Sequence, residues 1–113
     1  MISDIPIGKT QTYKFTFTDL DGVVLNITGH SVEFVAKTSI IESASVISVT
    51  TTAGDHADDD AVGGIMFLTL NTSDTDLTPQ NLVYAFIHTV PGATPLVYEL
   101  EDGNFNITRS VKT

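Results

Sequence analysis

From Thr10 to Thr18 the chain alternates without a break. Tyr13, Phe15 and Phe17 fall on one side, and Thr12, Lys14, Thr16 and Thr18 on the other. A two-residue repeat is the signature of a strand with one apolar and one wet face. The pattern returns in Val32, Phe34 and Ala36, with Glu33, Val35 and Lys37 opposite. It returns again in Tyr84, Phe86 and His88, with Val83, Ala85, Ile87 and Thr89 on the other face. Seventeen threonines support the same reading, because a β-branched side chain is stiff at χ1 and suits a pleated, half-exposed surface.

The remaining segments fit around these strands. Residues 1–9 read as an extended arm or edge segment, since Pro6 has no N–H to give to a ladder. Asp19-Leu20-Asp21-Gly22 predicts a tight turn with Gly22 at positive φ, followed by a short strand from Val23 to Ile27 that leaves through Gly29. Ile40 to Glu42 and Val46 to Thr52 continue the β pattern. Residues 53–64 (AGDHADDDAVGG) form an acidic loop whose acids, small residues and glycines cannot bury a core. Ile65 to Leu70 is a strand, and Ser73 to Leu77 a single helical turn capped by Ser73 or Asp74. Leu82 to Val90 is the most apolar strand and is expected at the centre. Pro91 to Pro95 makes a hairpin loop. Leu96 to Glu101 and Asn104 to Val111 are expected as two final strands separated by a turn at Asp102-Gly103. Seven or eight short strands with turns roughly every 8–12 residues, and no long helix, predict an all-β sandwich or small barrel. At 113 residues this is one domain, spanning 10–113 behind its arm. A chain of that size buries roughly 65% of its unfolded surface without staples.

Charge and composition narrow the function. The net charge is -9, and between Thr38 and Thr108 ten acids stand with no base. Nucleic-acid binding and anionic membrane surfaces both need clustered Lys and Arg, so neither is expected as a partner. No basic segment precedes a long apolar run, so no signal peptide is expected, and no apolar run approaches the roughly 18 residues of a membrane helix. The absence of cysteine excludes thiolate zinc sites and thiol nucleophiles.

Few residues announce chemistry. No G-x-S-x-G elbow and no phosphate loop is present, so no enzyme is expected. Asp55, Asp58, Asp59 and Asp60 are the one cluster with the hard oxygens that Ca²⁺ prefers. Their spacing matches no EF-hand, and a solvated loop is the simpler expectation, so no metal or cofactor is predicted. His30, His56 and His88 lie far apart in sequence, and His88 reads as a packed or interface histidine. Asn26, Asn71 and Asn106 begin N-x-Ser/Thr triplets. Tyr13, Tyr84 and Tyr98 raise the alternative of a carbohydrate-binding module, although no Trp supplies a sugar platform.

Two stretches carry a resemblance. YKFTFTDLDGVVLNITGHSVEFVAK resembles the N-terminal domain of phage baseplate upper proteins and related small virion proteins. There an alternating strand precedes D-x-D-G, an apolar pair, an N-I-T-G-like exit and a V-x-F strand. GGIMFLTLNTSDTDLTPQNLVYAFIHTV resembles the second signature of that family, with Gly64 to Leu70, Ser73 to Leu77 and Tyr84 to Val90 in its places. The acidic loop departs from the pattern by its length and charge. No receptor-binding or fibre domain is expected after the last strand. The resemblance implies an immunoglobulin-like antiparallel sandwich in the virion, assembled in the host cytoplasm as a tail, baseplate or neck component. It implies contacts with other virion proteins and with copies of itself, in a trimer or ring. A capsid decoration or head-fibre anchoring protein is the alternative. In this setting Asp19, Asp21, Gly22 and Gly29 are turn residues, and Lys9, Lys14, Arg109 and Lys112 are expected to dock against the acidic middle of a neighbour.

Overall fold

The computed structural model describes residues 2–39, 41, 44–92 and 94–109. Seven strands and one helical turn follow in the order β1 (Ile5–Pro6), β2 (Gln11–Thr16), β3 (Ser31–Lys37), β4 (Ile47–Thr52), β5 (Ile65–Leu70), α1 (Thr72–Thr75), β6 (Gln80–Val90) and β7 (Leu96–Thr108). They form an all-β sandwich of two unequal layers. One sheet has five strands in the order β1-β7-β6-β3-β4, and the other has two, β2 and β5.

The alternation sets the faces. Val32, Phe34 and Ala36 of β3 are fully buried, while their neighbours on the same strand are half-exposed. Leu82, Tyr84, Phe86 and His88 of β6 point the same way, as do Met66, Leu68 and Leu70 of β5. Phe34 sits at the middle, with ring centroids of Phe86 at 5.0 Å, Tyr84 at 5.9 Å, Phe105 at 5.9 Å and Tyr13 at 6.3 Å. Stacked and tilted pairs of this kind add to the roughly 1.5–3 kcal/mol that each large apolar side chain contributes by leaving water. Among the described residues, no buried side-chain nitrogen or oxygen lacks a hydrogen-bond partner.

Four expectations need correction. Val23 to Ile27 is not a strand: only the single bridge Thr18↔Val24 forms, and Val23 and Val24 are exposed. The chain there swings outward so that Ile27 can enter the core with its N–H bonded to Ala61 O. The turn at Asp102-Gly103 does not exist either. β7 runs straight through it, and its irregularity lies instead at a bulge opposite Phe86/Ile87. Gly103 is needed because the Tyr84 ring lies where a side chain would be: an added Cβ would meet Tyr84 Cε1 at 3.2 Å. The helical turn is shifted, starting after Asn71, whose N–H is held by the Asp74 carboxylate at 2.8 Å. Finally, the sandwich expected to be antiparallel is not wholly so, because the segment before Thr10 joins its larger sheet as the edge strand β1. Ile5 is fully buried, and β1 pairs with β7 in parallel, Ile5 against Ile107, so the five-stranded sheet is not purely antiparallel. Of the strand expected from Ile40 to Glu42, only Ile41 lies within the described residues, and Val111 lies outside them.

The two layers are offset. β5 lies over the β4 edge. β2 lies towards the other edge, where a recess of about 360 Å³ is lined by Tyr13 and Phe15 of β2, Phe86, Glu101 of β7 and Ile2. The sandwich is therefore closed on one side and open on the other.

Candidate functional site

The acidic loop came forward first from sequence, and its carboxylates face inward to the loop's own backbone. Asp59 Oδ2 accepts from Gly54 N at 2.9 Å and His56 N at 3.1 Å, while its Oδ1 accepts from Phe67 N at 2.7 Å. Asp55 accepts from Thr52 N at 3.0 Å, and Asp60 from Gly63 N at 3.0 Å. Asp58 is exposed, with its N–H donated to His56 Nδ1 at 3.1 Å, and the His56 ring stacks on Phe67 at 5.3 Å. Among the described residues, no three His, Cys, Asp or Glu side chains converge on a point that could hold a metal. The loop is thus an ordered structure, fastened to β5 by charge-assisted hydrogen bonds. The sequence signal for this was the run of short carboxylates next to small residues, which favours local side-chain-to-backbone bonds.

The Asp19–Gly22 turn is built the same way. Asp19 Oδ1 accepts from Asp21 N at 2.9 Å and Val23 N at 3.0 Å. Gly22 and Gly29 have φ of 80° and 83°. Asp21 is exposed on the turn. Gly64 plays a tighter role that the sequence did not single out. At φ +75° it lies under two other segments, where a Cβ would meet Phe17 O at 2.6 Å and Leu25 O at 2.9 Å.

Two histidines widely separated in sequence meet at the end of the sandwich where β6 finishes. His30 Nδ1 and His88 Nε2 are 3.0 Å apart, so one ring donates and the other accepts. His88 is buried, and the Phe17 ring lies 4.6 Å and the Tyr98 ring 6.1 Å from it. Burial, together with the charge His30 would carry, pushes the His88 imidazole below its ordinary pKa.

The open side of the sandwich concentrates the remaining unusual features. Among the described residues β2 pairs only with β5, and its other edge has no partner strand. β7 pairs with β1 only at Ile107 and Thr108, with Asp4 Oδ1 accepting from Asn106 N just above. The stretch of β7 beyond that carries Leu96, Val97, Tyr98 and Leu100 at 51%, 63%, 50% and 40% exposure. Between the edges, Tyr84 Oη donates to Glu101 Oε2 at 2.6 Å and accepts from Ile2 N at 3.1 Å. That bond from Tyr84 holds the Glu101 carboxyl below the usual carboxylate range. Burial, and then the neighbouring Tyr84 and Glu101 charges, push the Tyr13 hydroxyl up to about 12.

Of the four expected docking bases, three lie within the described residues and all three are exposed. Lys14 is exposed on β2 beside the open side, Lys9 lies exposed before it, and Arg109 is exposed just past β7. Lys112 lies outside the described residues. No helix among the described residues is long and apolar enough to cross a membrane. No family model, curated protein or solved structure matches the chain.

Proposed function

We propose that the chain is a non-enzymatic structural subunit of a bacteriophage virion, placed in the tail, baseplate or neck, and working through protein–protein assembly. The observation that carries the assembly part is the run Leu96, Val97, Tyr98 and Leu100, exposed on a strand edge that has no neighbour over that stretch among the described residues. Such an edge is a liability for a protein that works alone and an asset for one that is built into a particle. The phage setting is supported by the resemblance of the Tyr13–Lys37 and Gly63–Val90 stretches. Its partners in this reading are other virion proteins and copies of itself in a trimer or ring, with no cofactor, nucleic acid or membrane.

The test is mass spectrometry and immunogold microscopy of purified particles from the source phage. Label on the tail, baseplate or neck is the expected result. Label on the head surface moves the protein to the decoration or fibre-anchor role. Its absence from particles overturns the virion reading, and binding on a glycan array would then favour a carbohydrate-binding module.

A further inference from the structure

The open side of the sandwich has a geometry that specifies a partner. Phe15 packs on Phe86 at 5.1 Å and Phe17 on His88 at 4.6 Å, so β2 runs alongside β6 in the same direction. β6 is antiparallel to β7, and therefore β2 and β7 run in opposite directions along the same side, one in each layer. Tyr13 and Phe15 both rest on Phe86, and Phe86 stands opposite Glu101. Lys14, between those two rings but facing outward, is consequently level with Glu101 and Asp102. Asp102 is paired with Ala85, on the outer face of its own sheet, and is exposed.

We propose that two copies of the chain join through this side, about a two-fold axis parallel to the strands. This develops the self-assembly part of the reading above by naming the surface. Rotation about such an axis keeps every residue at its height and exchanges the layers. The free edge of β2 in one copy then meets the free edge of β7 in the other, antiparallel, and the reciprocal pair forms across the axis. Outer faces stay outer, so Lys14 of each copy comes beside Asp102 of the other. Tyr13 and Phe15 meet the inner face of the partner's β7, and the exposed run from Leu96 to Leu100 is covered twice.

Charge separates this arrangement from the other two-fold that brings the open sides together. An axis perpendicular to the sheets would pair β7 with β7, setting the acidic row of Glu99 and Asp102 against itself, and like charges directly across strands are destabilising. Residues 2–4 run along the opening near Asn106 and Tyr84, and Ile2 and Ser3 also line the recess beside Lys14 and Glu101, which leaves the β7 side of the contact to Leu96–Leu100 with Asp102 at its border. A two-fold contact closes on itself, so any trimer or larger ring must use a second surface.

Because the chain has no cysteine, the pairing is testable with single-cysteine variants of the full chain. Lys14→Cys and Asp102→Cys, oxidised separately, are expected to stay uncrosslinked, and their equimolar mixture to give a disulfide-linked dimer. Within one copy these two positions face opposite ways, so an internal link does not compete. Crosslinking of Asp102→Cys alone would show β7-to-β7 pairing and overturn the proposal. So would a monomer by sedimentation across the micromolar range. Charge reversal gives a second readout: Lys14→Asp or Asp102→Lys should weaken dimerisation about tenfold, and the double reversal should restore it. Wild-type affinity in both single reversals would also overturn it. Both sites are exposed, and circular dichroism checks the fold of each variant. Particle localisation and dimerisation are read separately, so either can fail alone.

Discussion

Single residues in this chain act mainly by satisfying backbone. Asp19, Asp55, Asp59 and Asp60 each hold amide N–H groups of their own loops, so acids that look like ligands in the sequence are spent on shape. His88 is the residue with a pH-dependent consequence. Its folded pKa lies below the unfolded value of about 6.5, so the unfolded chain takes up the proton more readily. Its contribution to stability is therefore fully present above about pH 6.5 and declines as pH falls through that value towards the lower folded one. Urea denaturation at pH 7.5 and 5.5 should show stability falling on acidification. The fall should be shallower in His88→Gln, which keeps a hydrogen-bonding side chain and cannot titrate in this range. An identical slope in the variant would remove the assignment. The His30 contact itself was not legible in the sequence, because 58 residues separate the partners and only the β3–β6 register brings them together.

At the scale of elements, strands with a strong two-residue period were read correctly and weakly patterned segments were not. β2, β3, β5 and β6 stand where their alternation puts them. Val23 to Ile27 failed because a run of β-branched residues fixes propensity without supplying a partner strand, and only Ile27 reached the core. Asp102-Gly103 failed because turn composition cannot reveal that glycine is required to clear the Tyr84 ring. The parallel pairing of the edge segment β1 was not legible for a related reason: two residues carry no period, yet Ile5 is among the fully buried side chains. Ile5→Ala should destabilise the fold by about 2–4 kcal/mol, the usual range for emptying a core position. Denaturant titration measures it. A cost under about 0.5 kcal/mol would return the segment to the role of a loosely attached arm.

The whole molecule is an asymmetric sandwich whose five-stranded layer is matched by only two strands. The alternation showed that two layers were needed, but not that they would be unequal. Layer membership depends on which edges pair, and no local pattern encodes that. The candidate contact surface was hidden for the same reason. Leu96 to Leu100 reads as an ordinary strand until β7 is found at an edge with nothing beyond it over that stretch among the described residues.

The parallel pairing of β1 with β7 has a mechanical meaning. The first strand enters the sheet beside the last, in the same direction, at Ile5↔Ile107 and Pro6↔Thr108. Tension applied through the chain on either side of the domain pulls those two strands past each other along their length. Their hydrogen bonds, with Ile7 N to Thr108 O at 2.9 Å, are then loaded together rather than peeled one at a time. In single-molecule stretching, pulling from residues 2 and 109 should require a higher rupture force than pulling across the β6–β7 hairpin from its open end. Equal forces would show that this strand pair does not carry the load. A domain tied in this way resists extension along the line joining its first and last strands.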